Sequence, residues 1–199
     1  MVRLCKRDRQ WNYREVRRYA TPSEIGSYFN ENQERLLWMA LVITGTQELA
    51  ESSIEAASKD STHRRSVFLS WVGEWAQYAV VRSAIAATRK DILDAAVRYQ
   101  GQGSEHSEHW GLSEAETREL RAIKPNVLFT SLDPLARSVL VLQTLRNTTI
   151  YDCVVALDVP RTVVLAAYDG ALFWLHARQN SGTDSENSSV QIAGNRFSP

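Results

Sequence analysis

The residues with the most obvious capacity for chemistry lie in one polar segment near the middle of the chain. Residues 105–109 are Glu-His-Ser-Glu-His, which places His106 and His109 one helical turn apart. A structural zinc site needs about four ligands. The two cysteines, Cys5 and Cys153, are far apart and form no ligand pair with these histidines. The pattern therefore favours a solvated linker, and we expect no bound metal and no other cofactor.

Sequence patterns typical of enzymes are not visible either. There is no glycine-rich phosphate loop after a predicted strand, no nucleophile elbow and no zinc-protease helix. The acidic residues pair mostly with basic ones along helices, so no carboxylate dyad is indicated. We expect a protein that is not an enzyme.

Charge is balanced over the whole chain but uneven along it. The 199 residues include 23 basic and 23 acidic side chains, so the molecule as a whole has no strong attraction for nucleic acid. The first eighteen residues contain seven of the basic side chains. This N-terminal arm, residues 1–20, is suited to holding phosphates, and a solvated terminus is the alternative.

The cysteine content and the apolar segments indicate the compartment. Two widely separated cysteines do not make a disulfide framework, which favours a reducing environment. The longest apolar stretch, residues 163–175, is interrupted by Asp169 and is too short to span a bilayer. We expect a cytoplasmic protein with no membrane partner.

Helical periodicity dominates the first domain that we predict, residues 21–98. Thr21, Pro22 and Glu24 form a capping box with proline at the first helical position. Further helices are predicted over about residues 32–43, 48–57 and 67–93. Gly45 is the natural C-cap of the second helix.

The rest of the chain is predicted to contain a linker, a second domain and a tail. Residues 99–131 form the linker, with one short helix that starts at a capping box on Ser113. Residues 132–178 form the second helical domain, and residues 179–199 are rich in Ser, Asn and Gly, which predicts a disordered tail. The fold class is therefore all-α, with two small helical domains.

The most informative segment covers residues 132–175 and contains three short predicted helices. Asp133 starts the first, Thr149 with Asp152 caps the second, and a turn at Asp158 leads to the third. Valine-rich strands are the alternative for the last two helices, but both fit the 3.6-residue period and neither alternates polar with apolar residues. Two short helices around a tight turn, braced by a preceding helix, indicate a helix-turn-helix unit.

This segment resembles the C-terminal promoter-recognition domain of sigma-70-type transcription factors, especially their extracytoplasmic-function branch. That family reads L-P-x-x-x-R-x-V-x-x-L, a Ser or Thr cap, an acidic apolar helix, L-G-I-P and T-V. The matching residues here are Leu132, Pro134, Arg137, Val139, Leu142, Leu145, Thr149, Leu157, Val159, Pro160 and Val164.

The first half of the chain is also similar to this family. Residues 36–57 look like its polymerase-binding helices, and Phe68 with Trp71 resembles its F-x-x-W-L helix. The resemblance covers about residues 25–177 and implies a transcription protein that binds core RNA polymerase and promoter DNA, with an anti-sigma or other protein as a further partner. The polymerase-binding positions that it implies are Glu48, Glu51, Ile54 and Glu55.

The resemblance also implies residues that hold the melted promoter. Unpaired bases stack on aromatic side chains and their phosphates need cations. The implied aromatic residues are Trp71, Trp75 and Tyr78, and the implied cations are Arg82, Arg89 and Lys90. The four-residue spacing of the two tryptophans favours a core stripe instead, and the cations also fit a solvated face.

The predicted recognition helix departs from the family pattern. The family has a lysine, a serine and an arginine just after T-V, where this chain has Leu165, Ala166 and Ala167. The remaining DNA-binding candidates are Arg161, Thr162, Arg178 and the capping Thr149. Four arginines and four aspartates balance over residues 132–178, which removes the counterion-release contribution to DNA affinity.

These departures leave a second hypothesis open. The chain is alternatively a sigma-derived interaction protein that kept the fold and lost promoter recognition. Leu165, Phe173 and Trp174 lie on the nominally exposed face of the last helix. We expect them to be buried against the rest of the chain, a second copy or a partner, and packing within the chain is the favoured choice.

Overall fold

The computed structural model describes residues 18–63, 67–101, 110–145 and 148–190. This part of the chain contains ten α-helices and no strand, as the helical periodicity predicts. The helices are α1 (Pro22–Glu31), α2 (Gln33–Thr44), α3 (Gln47–His63), α4 (Val72–Ala87), α5 (Arg89–Ala96), α6 (Glu114–Ala122), α7 (Pro125–Ser131), α8 (Pro134–Gln143), α9 (Ile150–Leu157) and α10 (Arg161–Val190). Single turns of 3-10 helix, Leu69–Trp71 and Val97–Tyr99, precede α4 and follow α5.

The predicted helix starts are confirmed by their cap geometry. Capping boxes begin α1 at Thr21, α6 at Ser113 and α9 at Thr149, since each side chain accepts a hydrogen bond from the third helical N–H. Asp133 caps α8 in the same way through the N–H of Ala136. Gly45 ends α2 with a φ of 77°, a conformation that glycine adopts without steric cost.

Several helix boundaries differ from the prediction. The helix expected over residues 67–93 is divided at Thr88, whose hydroxyl donates to the carbonyl of Ala84 at 2.9 Å. This bond competes with the regular helical pattern. α3 continues past Ala57 to His63, and α7 adds a second helix to the predicted linker. Pro125 opens α7 at its first position, where no backbone donor is needed.

α10 includes residues 179–190, the first part of the tail that the composition predicts to be disordered. A helix that is anchored by buried residues gains one hydrogen bond for each residue added, so it propagates until something stops it. Residues 191–199 lie outside the described part of the chain, as do residues 1–17 of the predicted basic arm.

The two predicted domains are not separated in the packing. Buried side chains from α1 to α10 belong to one hydrophobic cluster. α8 lies at its centre, because all nine residues from Leu135 to Gln143 are buried. α2, α5 and α7 from earlier in the chain, together with α10, pack around this helix.

Arg137 ties the first half of the chain to α8. Its guanidinium is buried and donates to the carbonyl oxygens of Leu132 at 3.1 Å, Phe129 at 3.4 Å and Ile43 at 3.4 Å. Burial lowers the pKa of this side chain. The arginine of the family pattern thus has a structural role here, since it satisfies carbonyls near the ends of α2 and α7.

Candidate nucleic-acid interface

The implied promoter-melting aromatics lie along one face of the 3-10 turn and α4. Trp71, Trp75 and Tyr78 follow one another at spacings of four and three residues, and Arg82 continues the row one turn later. Trp71 is 61% exposed and Tyr78 is 42% exposed, whereas Trp75 is half-buried. The core role that the spacing favours for Trp71 is therefore wrong.

A neighbouring row of smaller side chains supplies the core contacts of α4. Val72, Ala76 and Val80 are buried at the same helical spacing. Periodicity shows that two rows exist, but it does not distinguish the row that faces the core when both rows are apolar. Trp75 packs partly against the core, so the core interpretation is confirmed for it only in part.

An exposed aromatic cluster extends this face beyond α4. Tyr19 stacks on Phe68 with ring centroids 4.8 Å apart, and Phe68 contacts Trp71 edge-on at 5.6 Å. Backbone hydrogen bonds from Ala20 to Val67 and from Leu69 to Arg18 hold the two segments side by side. Sequence reasoning missed Tyr19, because no local signal pairs it with a residue forty-nine positions away.

Two recesses flank the row on α4. A cleft of about 940 Å³ is lined by Trp71, Trp75 and Tyr78 on one side and by Arg35 of α2 and Arg121 of α6 elsewhere. We call it the aromatic cleft. A smaller groove of about 330 Å³ lies between α3 and α4, where Trp75, Tyr78 and Arg82 form one wall.

The implied cations of this half are exposed but not equally available. Arg82, Arg89 and Lys90 are all exposed. The guanidinium of Arg89 forms an ion pair with the carboxylate of Asp158, in the turn before α10. Its charge is therefore partly neutralised.

The beginning of the implied recognition helix is enclosed. All six residues from Val163 to Tyr168 are buried, although a helix on the surface would expose a residue in every turn. α8, α9 and the 3-10 turn Val97–Tyr99 contact α10. The expected burial of Leu165 is confirmed and Trp174 is partly buried. Phe173 is 77% exposed, so the packing within the chain that was favoured for it is wrong.

Tyr168 is the centre of this enclosure. Its ring packs on Trp110 with centroids 4.8 Å apart, and its hydroxyl accepts a hydrogen bond from the N–H of Gly111 at 3.1 Å. Burial raises the pKa of Tyr168 to about 12. The segment that enters the second half of the chain therefore packs directly on α10.

The DNA-binding candidates around α10 do not come together. Arg161, Thr162 and Arg178 are exposed, but the two arginines are separated by seventeen residues, or roughly 26 Å along a helix. The Thr149 hydroxyl is used in its capping box, where it donates to the Asp152 carboxylate at 2.6 Å.

Asp158 has the left-handed backbone that the turn requires, with a φ of 54°. The cap at Thr149 and the turn at Asp158 that join α8, α9 and α10 are thus formed by polar residues that are occupied within the fold.

The implied polymerase-binding residues share α3. Glu48, Glu51 and Glu55 are exposed at spacings of three and four residues, and Ile54 is half-buried against the core. Gln47 donates to Glu51 at 2.6 Å, and Lys59 pairs with Glu55 at 2.6 Å. The result is an exposed acidic ridge, which we call the α3 ridge.

Other chemistry of the described residues is limited. Cys153 is buried, and burial raises the pKa of its thiol to about 12, which makes it unreactive near neutral pH. The described residues contain no group of three or more His, Cys, Asp or Glu placed to hold a metal ion. His106 and His109 lie outside the described residues. None of the helices described is long and apolar enough to cross a membrane.

Comparisons with known proteins do not assign a family. No protein-family model matches the chain, and no curated sequence or solved structure matches it either. The class of protein therefore has to be argued from the residues and the packing of this chain.

Proposed function

We propose that this chain is a sigma-factor-like transcription protein that binds core RNA polymerase and uses the α4 face to bind unpaired promoter DNA. The observation that carries the proposal is the row formed by exposed Trp71 and Tyr78 and half-buried Trp75, continued by Arg82. Solvent-exposed aromatic side chains are costly unless they bind something, and unpaired bases stack on such surfaces with little dependence on sequence.

The helix-turn-helix order of α8, α9 and α10 supports the same class. Its cap at Thr149 and its left-handed turn at Asp158 agree with the sequence pattern of the family. In the present arrangement, however, residues 163–168 of α10 are buried, so insertion into a major groove requires α10 to be released.

The α3 ridge is the surface that we assign to polymerase. It presents Glu48, Glu51 and Glu55 on a regular helix, so the carboxylates are held at fixed spacing. Ridges of this kind favour partners with complementary basic surfaces and raise the rate of association.

Binding of the full-length chain to core polymerase tests the proposal. Glu48→Lys combined with Glu51→Lys is expected to weaken binding about tenfold, because attraction becomes repulsion at two positions. Glu31→Lys combined with Glu34→Lys is the matched control, because both residues are exposed on other helices. If the two double variants bind alike, the α3 ridge is not the polymerase-binding surface.

Burial of α10 favours a second candidate function, a sigma-derived interaction protein without promoter recognition. Among the described arginines of residues 132–178, Arg161 and Arg178 are exposed and Arg137 is buried, which leaves two exposed guanidinium groups there for phosphate contacts. A salt series with the full-length chain and duplex DNA distinguishes the two. Salt-dependent binding to duplex DNA that Arg161→Ala weakens supports promoter recognition. Binding to polymerase without salt-dependent binding to duplex DNA supports the interaction protein.

A further inference from the structure

The aromatic cleft differs from the rest of the surface because it combines ring faces with two arginines. Trp71 and Tyr78 expose much of their rings at its wall, and half-buried Trp75 lies between them. Its volume of about 940 Å³ is within the range of pockets that hold small organic ligands. The lining comes from α2 and α4 before the 102–109 segment, and from α6 and the end of α8 after it.

Arg121 is the more perturbed arginine of the cleft. Burial and the charge of Arg35 both lower its pKa. Arg121 donates to the carbonyl of Thr144 at 2.9 Å, which fixes its guanidinium at the end of α8. Among the described residues neither arginine has an ion-pair partner, although Glu74 and Glu114 also line the cleft.

Two guanidinium groups that line the same cleft are suited to a ligand with several anionic oxygens. The aromatic wall is suited to a planar ring. A mononucleotide carries both groups in one molecule of the right size. We propose that the aromatic cleft is a binding site for a free nucleotide, with the base against Trp71 and Tyr78 and the phosphate between Arg35 and Arg121.

The position of the cleft gives such a ligand a structural consequence. It would contact helices that precede and helices that follow the 102–109 segment, so its binding favours the arrangement in which they are packed together. Residues 163–168 of α10 are buried in that arrangement. This step goes beyond the proposed function, because nucleotide binding requires neither polymerase nor promoter DNA.

Calorimetric titration of the full-length chain tests the site. The probes are AMP, GMP, CMP and UMP, with adenosine and inorganic phosphate as the separate halves of the ligand. We expect saturable binding of at least one mononucleotide, and weaker binding of adenosine and of phosphate. Equal affinity for phosphate and for every mononucleotide would show that the aromatic wall contributes nothing, and the proposal would be wrong.

Variants locate the binding in the cleft. Arg35→Ala is expected to raise the Kd about tenfold through loss of a charge-assisted contact. Trp71→Ala is expected to raise it by a similar factor through loss of stacking. Arg178→Ala is the control, because Arg178 is exposed and does not line the cleft. Circular dichroism and thermal unfolding confirm that each variant is folded, and Arg35→Lys, which keeps the charge, is expected to be intermediate.

Two further results would overturn the proposal. One is the lack of saturable binding to every mononucleotide, and the other is an identical Kd for Arg35→Ala, Trp71→Ala and Arg178→Ala. The titration contains no polymerase, so its failure leaves the α3 experiment unaffected and can be distinguished from failure of the proposed function.

Discussion

The two surfaces that the sequence associates with nucleic acid differ in their access to solvent. On α4, Trp71 and Tyr78 are exposed beside Arg82, so a ligand can reach them directly. On α10, the residues from Val163 to Tyr168 are enclosed by other helices. The same chain therefore presents one candidate surface openly and holds the other inside its core. The difference shows that a helix with the sequence pattern of a recognition helix is not necessarily on the surface.

The largest difference in stability that we expect is between the alanine variants of two tyrosines, one from each surface. Tyr168→Ala should lower the free energy of unfolding by about 4 kcal/mol, because it leaves a cavity under Trp110. Tyr78→Ala should lower it by less than about 1 kcal/mol, because its side chain is partly exposed. Urea denaturation followed by circular dichroism measures both. Equal costs would mean that the two surfaces do not differ in burial.

The second-largest loss of stability that we expect comes from removing Arg137, which connects the first half of the chain to α8. Arg137→Ala should lower the free energy of unfolding by about 3 kcal/mol, because carbonyls near the ends of α2 and α7 lose their donor. Arg137→Lys should recover only part of this, since one ammonium does not reproduce the planar fork of arginine. Arg178→Ala serves as the exposed control in the same denaturation series. A small effect for Arg137→Ala would show that α8 is held without this side chain.

The smallest loss of stability that we expect comes from removing the ion pair that joins α5 to the turn before α10. Arg89→Ala should lower the free energy of unfolding by less than about 1 kcal/mol, because both partners are exposed. High salt should remove most of the stability difference between Arg89→Ala and the unchanged chain, since it screens exposed charges. Lys90→Ala, on the same helix, is the control. A large effect that persists in high salt would indicate that this contact, and not apolar packing, keeps α10 in place.

Much of the fold was predictable because its signals are local. A hydroxyl or carboxylate three residues before a helical N–H is sufficient to begin a helix, so Thr21, Ser113 and Thr149 were located correctly. The break at Thr88 was missed, because the sequence around it is suited to a continuous helix. The Thr88 hydroxyl donates to the same Ala84 carbonyl as its backbone N–H, and bonds of this kind bend helices. The sequence identified candidate residues of the site, but it did not predict how they are arranged in space.

The amino-acid sequence by itself determined the helices, their caps and the apolar rows along them. These depend on residues within about one turn of each other, which the order of the chain specifies directly. Only the tertiary structure decided that Trp71 faces solvent, that α8 is central and that α10 is enclosed. It also brought Arg35 and Arg121 to the same cleft from α2 and α6. These outcomes depend on which apolar faces meet across the chain, and no local spacing encodes that choice.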